Sequence, residues 1–321
     1  MVCPRCAAAV ASTDHFCENC GCPLSGASSD DGTSVAQTCH CPPGQGKPDA
    51  DGYCQVCRLR CVTDTAAVRR HVEVSVDEQL AVVSDIGRRH PSNEDAGAVA
   101  RGPGDSVVMV VADGVSMSLN SASAAQAAVE AALSVLSSLP EDAALADMVR
   151  SAVGAANQAV LAVPFVPSDE DGPETTIVVA LCRGGRVAVG WVGDSRAYLI
   201  GSDTAEVLTV DDSWVEQVVR SGAMLRERAE ADKRAHYVTQ VLGMRDQQLD
   251  GHVIERDLPS NCILLLCSDG LWNYFERDGE LTDAVRQHHS SDALELCRWL
   301  VDAANERGGH DNVTVASLRT A

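Results

Sequence analysis

At 321 residues and a formal charge of −21, the chain can form one large domain or two to three smaller ones, with the mixed composition of a soluble globular protein. Residues 1–75 hold 6 basic and 8 acidic side chains, so the other 19 basic and 38 acidic residues put −19 on residues 76–321, a body that repels nucleic acid and attracts divalent cations. No apolar run approaches the about 20 residues of a membrane-spanning helix, and MVCPRC is not a basic flank leading into an apolar core, so a cytoplasmic protein without a membrane anchor is expected.

Ten of the 14 cysteines fall within the first 61 residues. A segment so poor in core-forming side chains needs a staple, and in a reducing compartment that staple is zinc. Residues 1–24 carry Cys3-Pro-Arg-Cys6 and Cys17-Glu-Asn-Cys20, two knuckles whose four thiolates complete a tetrahedral site. Residues 25–38 begin with SGASSDDGTS, a flexible linker. Residues 39–61 form a second unit in which Cys39, Cys41, Cys54 and Cys57 are the expected ligands, with Cys22, His40 and Cys61 as substitutes. The two units resemble tandem zinc ribbons, which implies a module for binding a protein partner. A second linker is expected over 62–75.

The remaining domain, 76–321, shows Val-, Ile- and Leu-rich strands at about 80–85, 107–112, 175–182, 186–192, 262–268 and 312–318. Helices are expected over 121–139, ending at Pro140, and over 292–309, where Leu294, Cys297, Val301 and Ala304 recur at helical spacing. Strands come in adjacent pairs with helices between the pairs, which argues for an α+β fold of two face-to-face sheets with helices outside. Cys182, Cys262, Cys267 and Cys297 sit singly in apolar surroundings and read as small buried hydrophobes.

Acidic residues stand where the apolar runs break: Asp113 after VVMVVA, Asp269 after CILLLCS, and Asp311 in GGHDNVTVA. Taken singly each is an ordinary Asp turn. Brought together at the mouths of buried strands, such carboxylates would repel unless a divalent cation lay between them. Oxygen ligands without His or Cys favour Mg²⁺ or Mn²⁺ over zinc.

Five segments occur in one order: SDIGRRHPSNEDA (84–96), VVADGVS (110–116), WVGDSRAYL (191–199), LLLCSDGLW (264–272) and GGHDNVTVA (308–316). In that order they resemble the metal-dependent protein phosphatases, the protein phosphatase 2C-like serine/threonine enzymes, over about 76–321. The resemblance implies a central β-sandwich flanked by helices with two metals at one edge. It implies hydrolysis of phosphoserine and phosphothreonine by a water or hydroxide held between those metals. Asp113 would bridge both ions, with the carbonyl of Gly114 beside it. Asp269 and Asp311 would complete one ion, Glu94 and Asp95 would hold the other, and Asp194 would help bind a third, weaker one. Asn312 would orient Asp311. Residues 208–222 resemble the strand and helix leading into a mobile flap, and 224–243 the flap itself.

Two departures stand out from the family pattern. His90 occupies the place of an arginine that grips the substrate phosphate, so His90 is expected to make that contact with Arg88 or Arg89 helping, and phosphate affinity is expected to fall as pH rises through about 6.5. Val115 follows the DG pair and can give no proton to a leaving group. These departures raise the alternative of a weakened member that binds phosphoproteins as a scaffold, and the ribbons raise that of a zinc-dependent nucleic-acid binder. The ribbon segment has no basic stripe, and no nucleic acid is expected as a partner. The expected partners are a phosphoprotein substrate, such as a serine/threonine kinase or its targets, and a protein bound by the ribbons.

Overall fold

Alternation and apolar runs resolve into strands whose faces are covered on one or both sides. The computed structural model describes residues 70–320 apart from 117, 139–142, 166–171, 236, 246–248, 250, 276–278 and 289. The candidate ribbons with Cys3, Cys6, Cys17, Cys20, Cys39, Cys41, Cys54 and Cys57 lie outside the described residues. In chain order the elements are β1 (His71–Asp77), β2 (Leu80–Asp85), β3 (Asp95–Arg101), β4 (Val107–Asp113), α1 (Ser121–Ser137), α2 (Leu145–Leu161), β5 (Ile177–Arg183), β6 (Arg186–Val192), β7 (Arg196–Ile200), β8 (Ala205–Val207), α3 (Trp214–Arg220), α4 (Arg226–Glu230), β9 (His252–Asp257), β10 (Ile263–Cys267), α5 (Asp269–Trp272), α6 (Glu280–Gln287), α7 (Ala293–Glu306) and β11 (Val313–Arg319).

One sheet runs β1-β2-β11-β10-β7-β8 and the other β3-β4-β5-β6-β9. Their pairings are antiparallel, with Leu265 opposite both Ser317 and Tyr198 in the first and Met109 opposite Ala180 in the second. The expected face-to-face arrangement is therefore present. Leu80, Val82, Met109, Val111, Val178, Val189, Trp191, Leu264, Leu266 and Ala316 fill the space between the sheets. Truncating one such leucine to alanine costs about 2–5 kcal/mol, a large share of the about 5–15 kcal/mol by which a domain is stable.

The outer faces are covered separately. Val108, Val110 and Ala112 of β4 pack under Ala124, Ala125, Ala128 and Ala132 of α1 and under Val149 and Val153 of α2. The small alanines let α1 lie close on both the sheet and α2. On the other side Val83, Leu265, Cys267 and Val315 pack against Leu296, Cys297, Leu300 and Val301 of α7. Asp292 caps α7 by accepting from the Glu295 N–H at 2.9 Å, so this helix starts where the Asp-x-x-Glu pattern places it. The four single cysteines are all buried.

Several strands are absent from the sequence reading, among them β1, β3 and β9. β1 reaches back to His71, into the stretch 62–75 read as linker, because the alternation Val72, Val74, Val76 suits a strand at the sheet edge. β3 was absent from the expected strands because DAGAVAR is made of small residues. Ala96 and Ala98 pack against α1, and at Gly97 a Cβ would meet the methyls of Val82 and Thr314 at 2.7 and 2.8 Å, so the two sheets approach closely beside Asp95.

Candidate metal centre

Antiparallel pairing brings the C-terminal ends of β4, β6 and β10 to the same end as the N-terminal ends of β3, β7 and β11. Asp113 ends β4 and lies directly across from Asp95 at the start of β3. Asp194 follows β6, Asp269 follows β10 at the first position of α5, and Asp311 precedes β11. Ser268 joins the sheets here, its hydroxyl donating to Asp95 Oδ2 at 2.8 Å while accepting from the Thr314 N–H at 2.9 Å. The sandwich thus gathers at one edge the carboxylates that the chain separates by up to 217 residues in sequence number, from Glu94 to Asp311.

Asp113 is held by its main chain. Its carbonyl accepts from the Thr176 N–H and the Thr175 hydroxyl, both at 2.8 Å, and its N–H donates to Thr176 Oγ1 at 3.1 Å. Thr176 Oγ1 is also 2.8 Å from Ser195 Oγ, next to Asp194. The sequence places Thr175 and Thr176 only within the strand expected at about 175–182, and gives no sign of a role for Ser195 or Ser268. A hydroxyl at a strand end has no spacing signature, and only the fold shows what it touches. Gly114 turns away from β4 between two carbonyls: a Cβ there would lie 2.7 Å from both Glu94 O and Ser121 O. Its N–H donates to Glu94 O at 3.1 Å, which places the Glu94-Asp95 pair beside the Asp113-Gly114 pair.

Asn312 corrects one expectation. Its side chain does not orient Asp311, which instead accepts from the Asn312 main-chain N–H at 2.8 Å. The buried amide spans the loop between β2 and β3, accepting from the Glu94 N–H at 2.8 Å and donating to the Ile86 and Ser92 carbonyls, each at 2.9 Å. His90, on that loop, has Nε2 3.2 Å from Asp311 Oδ1, while Arg88 and Arg89 are exposed beside it. Arg196 grips Asp211 through two bonds of 3.0 and 2.6 Å and lies 3.6 Å over Trp272, whose indole N–H donates to the Asp194 carbonyl at 3.0 Å.

The electrostatics of this cluster are those of crowded anions. Burial pushes Asp95 up to about 7, with the charge of Asp311 adding to it and the Ser268 hydrogen bond opposing it. Burial, then Asp311 and Asp95, push Asp269 up to about 7 as well. Asp113 rises well above the usual carboxylate range through burial and then repulsion from Asp95, Asp269, Asp311 and Asp194. Asp194 rises through burial and the charges of Asp269 and Asp211. Such a group cannot be fully ionised at neutral pH without added positive charge.

The donor set fits divalent cations. Glu94 Oε2, Asp95 Oδ1 and Asp269 Oδ1 are buried without a hydrogen-bond partner among the described residues, as expected of oxygens reserved for an ion. Among the described residues no three His, Cys, Asp or Glu side chains form a ready-made metal cage.

The profile of the protein phosphatase 2C family matches residues 87–302, which contain Glu94, Asp95, Asp113, Asp194 and Asp269. The chain belongs to the protein phosphatase 2C family. It is 29% identical over 240 residues to the serine/threonine phosphatase Stp of Listeria welshimeri, an alignment covering 72% of this chain and 92% of that protein. The crystal structure of the Mycobacterium tuberculosis serine/threonine phosphatase PstP superposes with a TM-score of 0.66 at 26% identity, covering 76% of this chain and 99% of that one. The catalytic domain of PstP in complex with two manganese ions superposes with a TM-score of 0.62 at 27% identity, over 75% of this chain and 97% of that one. Among the described residues no helix is long and apolar enough to cross a membrane.

Proposed function

We propose that this member of the protein phosphatase 2C family is a serine/threonine phosphoprotein phosphatase that works with two Mg²⁺ or Mn²⁺ ions and removes phosphate from phosphoserine and phosphothreonine. The observation that carries this reading is the meeting of Asp95, Asp113, Asp269 and Asp311 at one sandwich edge beside Glu94, where the charges of Asp95, Asp269 and Asp311 raise the proton affinity of their neighbours and one buried carboxylate oxygen each of Glu94, Asp95 and Asp269 lacks a partner. The phosphatases named above, one of them with two manganese ions, support it.

In this reading Asp113 would hold both ions, Asp269 and Asp311 one of them, and Glu94 and Asp95 the other, with the Gly114 carbonyl beside Asp113 and Asp194 at a weaker third position. When bound, the cations neutralise the transferring phosphoryl group and activate the attacking water. The chain's own part is to fix the carboxylates before substrate arrives, through Thr175, Thr176, Ser268 and Asn312. His90, with Arg88 and Arg89 on the same loop, contacts the substrate phosphate; replacing His90 with alanine should raise KM more than it lowers kcat, and arginine should restore it. Val115 has no proton to donate, so the chain offers no general acid at that position.

Two structural zinc ions held by Cys3, Cys6, Cys17, Cys20, Cys39, Cys41, Cys54 and Cys57 make the N-terminal segment a tether to a protein partner in a cytoplasmic signalling assembly that contains a serine/threonine kinase or its targets. The C-x-x-C spacing of Cys3/Cys6, Cys17/Cys20 and Cys54/Cys57 supports this assignment, while Cys39/Cys41 has the less usual C-x-C spacing. The deciding experiment for the activity is phosphopeptide hydrolysis with and without Mn²⁺, beside Asp269→Asn and Asp311→Asn. The reading requires Mn²⁺-dependent turnover that each substitution removes. Equal rates in the three proteins would leave only a phosphoprotein-binding scaffold.

A further inference from the structure

The segment between β8 and β9 leaves the sandwich, forms α3 and α4, and returns. Its two ends meet each other: Ser213 bridges Val238, and the Trp214 N–H donates to the Tyr237 carbonyl at 2.8 Å. Asp212 stands at this junction and touches three parts of the structure at once. Its N–H donates to the Gly193 carbonyl at 2.9 Å while its Oδ2 accepts from the Gly193 N–H at 3.0 Å, so it clasps both main-chain groups of the residue preceding Asp194. Its carbonyl accepts from the Thr239 N–H at 2.7 Å on the returning end.

The remaining carboxylate oxygen is also used. Oδ1 accepts from His252 Nε2 at 2.8 Å, and the His252 ring stacks on Trp191 with centroids 4.9 Å apart. The Trp191 indole N–H donates to the Val210 carbonyl at 2.8 Å, two residues before Asp212. His252 therefore sets the carboxylate from β9, and Trp191 fixes both His252 and the approach to Asp212. The returning end has a second tie: Leu242 exchanges main-chain hydrogen bonds with Thr175, whose hydroxyl holds the Asp113 carbonyl.

We propose that Asp212, oriented by His252, is a positioning residue that ties the Asp194 turn to both ends of the 213–238 excursion, so that the weaker metal position and this flap are set together. The metal half of this statement rests on the phosphatase reading above. The flap half does not. The bare alternative is that Asp212 only contributes stability, in which case losing it would loosen the domain evenly.

The test uses the full chain with two measurements. In metal-free protein, hydrogen exchange in Asp212→Ala should accelerate about tenfold or more at 191–195 and at 237–241 together, with 263–267 and 313–319 unchanged, because only the locally opened amides lose protection. In Mn²⁺ titrations read by electron paramagnetic resonance, the loosest ion should weaken about tenfold while tighter ions are retained, the usual effect of removing a group that orients a ligand. Asp212→Asn should stay within about threefold of wild type in both, since an amide can accept from Gly193 and donate to the other tautomer of His252. Should Asp212→Ala fail to fold, His252→Ala removes the Oδ1 partner together with its stack on Trp191 and should show the same paired change. Unchanged exchange at 237–241, acceleration spread over the whole domain, or unchanged Mn²⁺ binding overturns the proposal. Failure of wild type to take up Mn²⁺ overturns the metal half and the phosphatase reading with it, while the exchange result still decides the link between turn and flap.

Discussion

Asn312 offers the sharpest trial of how the site is held, because one buried side chain secures three points on the loop from Ile86 to Glu94. Replacing it with alanine removes three hydrogen bonds, and at about 1 kcal/mol each the loss should be about 3 kcal/mol, more if the Glu94 N–H is left dry. Against a margin of about 5–15 kcal/mol the variant should still fold. Asn312→Asp is the more telling change. It keeps the acceptor for Glu94 but turns a carboxylate oxygen toward the Ile86 and Ser92 carbonyls and adds charge beside Asp311. Urea unfolding at pH 7 in chelator should therefore rank wild type above alanine and alanine above aspartate, with the loss in the aspartate variant shrinking in acid as the new carboxyl protonates. If Asn312 merely filled space, aspartate would be the milder substitution. An aspartate variant as stable as wild type, or an alanine variant weakened by well under about 1 kcal/mol, would refute the account of the loop.

Further outcomes follow from the same geometry. Gly114→Ala forces a Cβ against the Glu94 and Ser121 main-chain carbonyls, so phosphopeptide kcat should fall at least about a hundredfold and Tm should fall with it, because Glu94 belongs to the site and Ser121 opens α1. Asp95 and Asp269, raised to about 7 from an ordinary 3.8, bind protons in the folded chain that the unfolded chain has already released between those values. Metal-free stability should therefore be highest at the acid end of that window, fall as pH rises toward 7, and level off above it, as thermal unfolding in chelator between pH 5.5 and about 8 would show. Saturating Mn²⁺ should remove that decline, because the metal takes the place of the protons. A metal-free protein that grows steadily more stable over the same range would contradict the raised carboxyls.

Much of the fold could be read from residues that serve two faces. β4, β5 and β10 are buried on both sides, and their runs of Val, Leu and Ile announce strands without help from their neighbours. β3 could not be read this way, because the close approach of the sheets selects Gly97 and the packing of α1 selects Ala96 and Ala98 where a strand normally shows Val or Ile. β9 was hidden for the opposite reason, since HVIERD sits at a sheet edge and is only partly covered. The carboxylates were legible because an Asp after an apolar run is conspicuous and five such motifs kept one order. Their supports were not. Thr176, Ser195 and Ser268 act through hydroxyls that meet only after the two sheets close, and the role of Asn312 lies in a loop more than 200 residues away in sequence.

If Asp113 joins two cations at the sandwich edge, crystals grown with Mn²⁺ and measured at the manganese absorption edge should show two anomalous peaks that share Asp113, one also contacted by Asp269 and Asp311 and the other facing Glu94 and Asp95. A single peak away from Asp113, or none at saturating Mn²⁺, would contradict it.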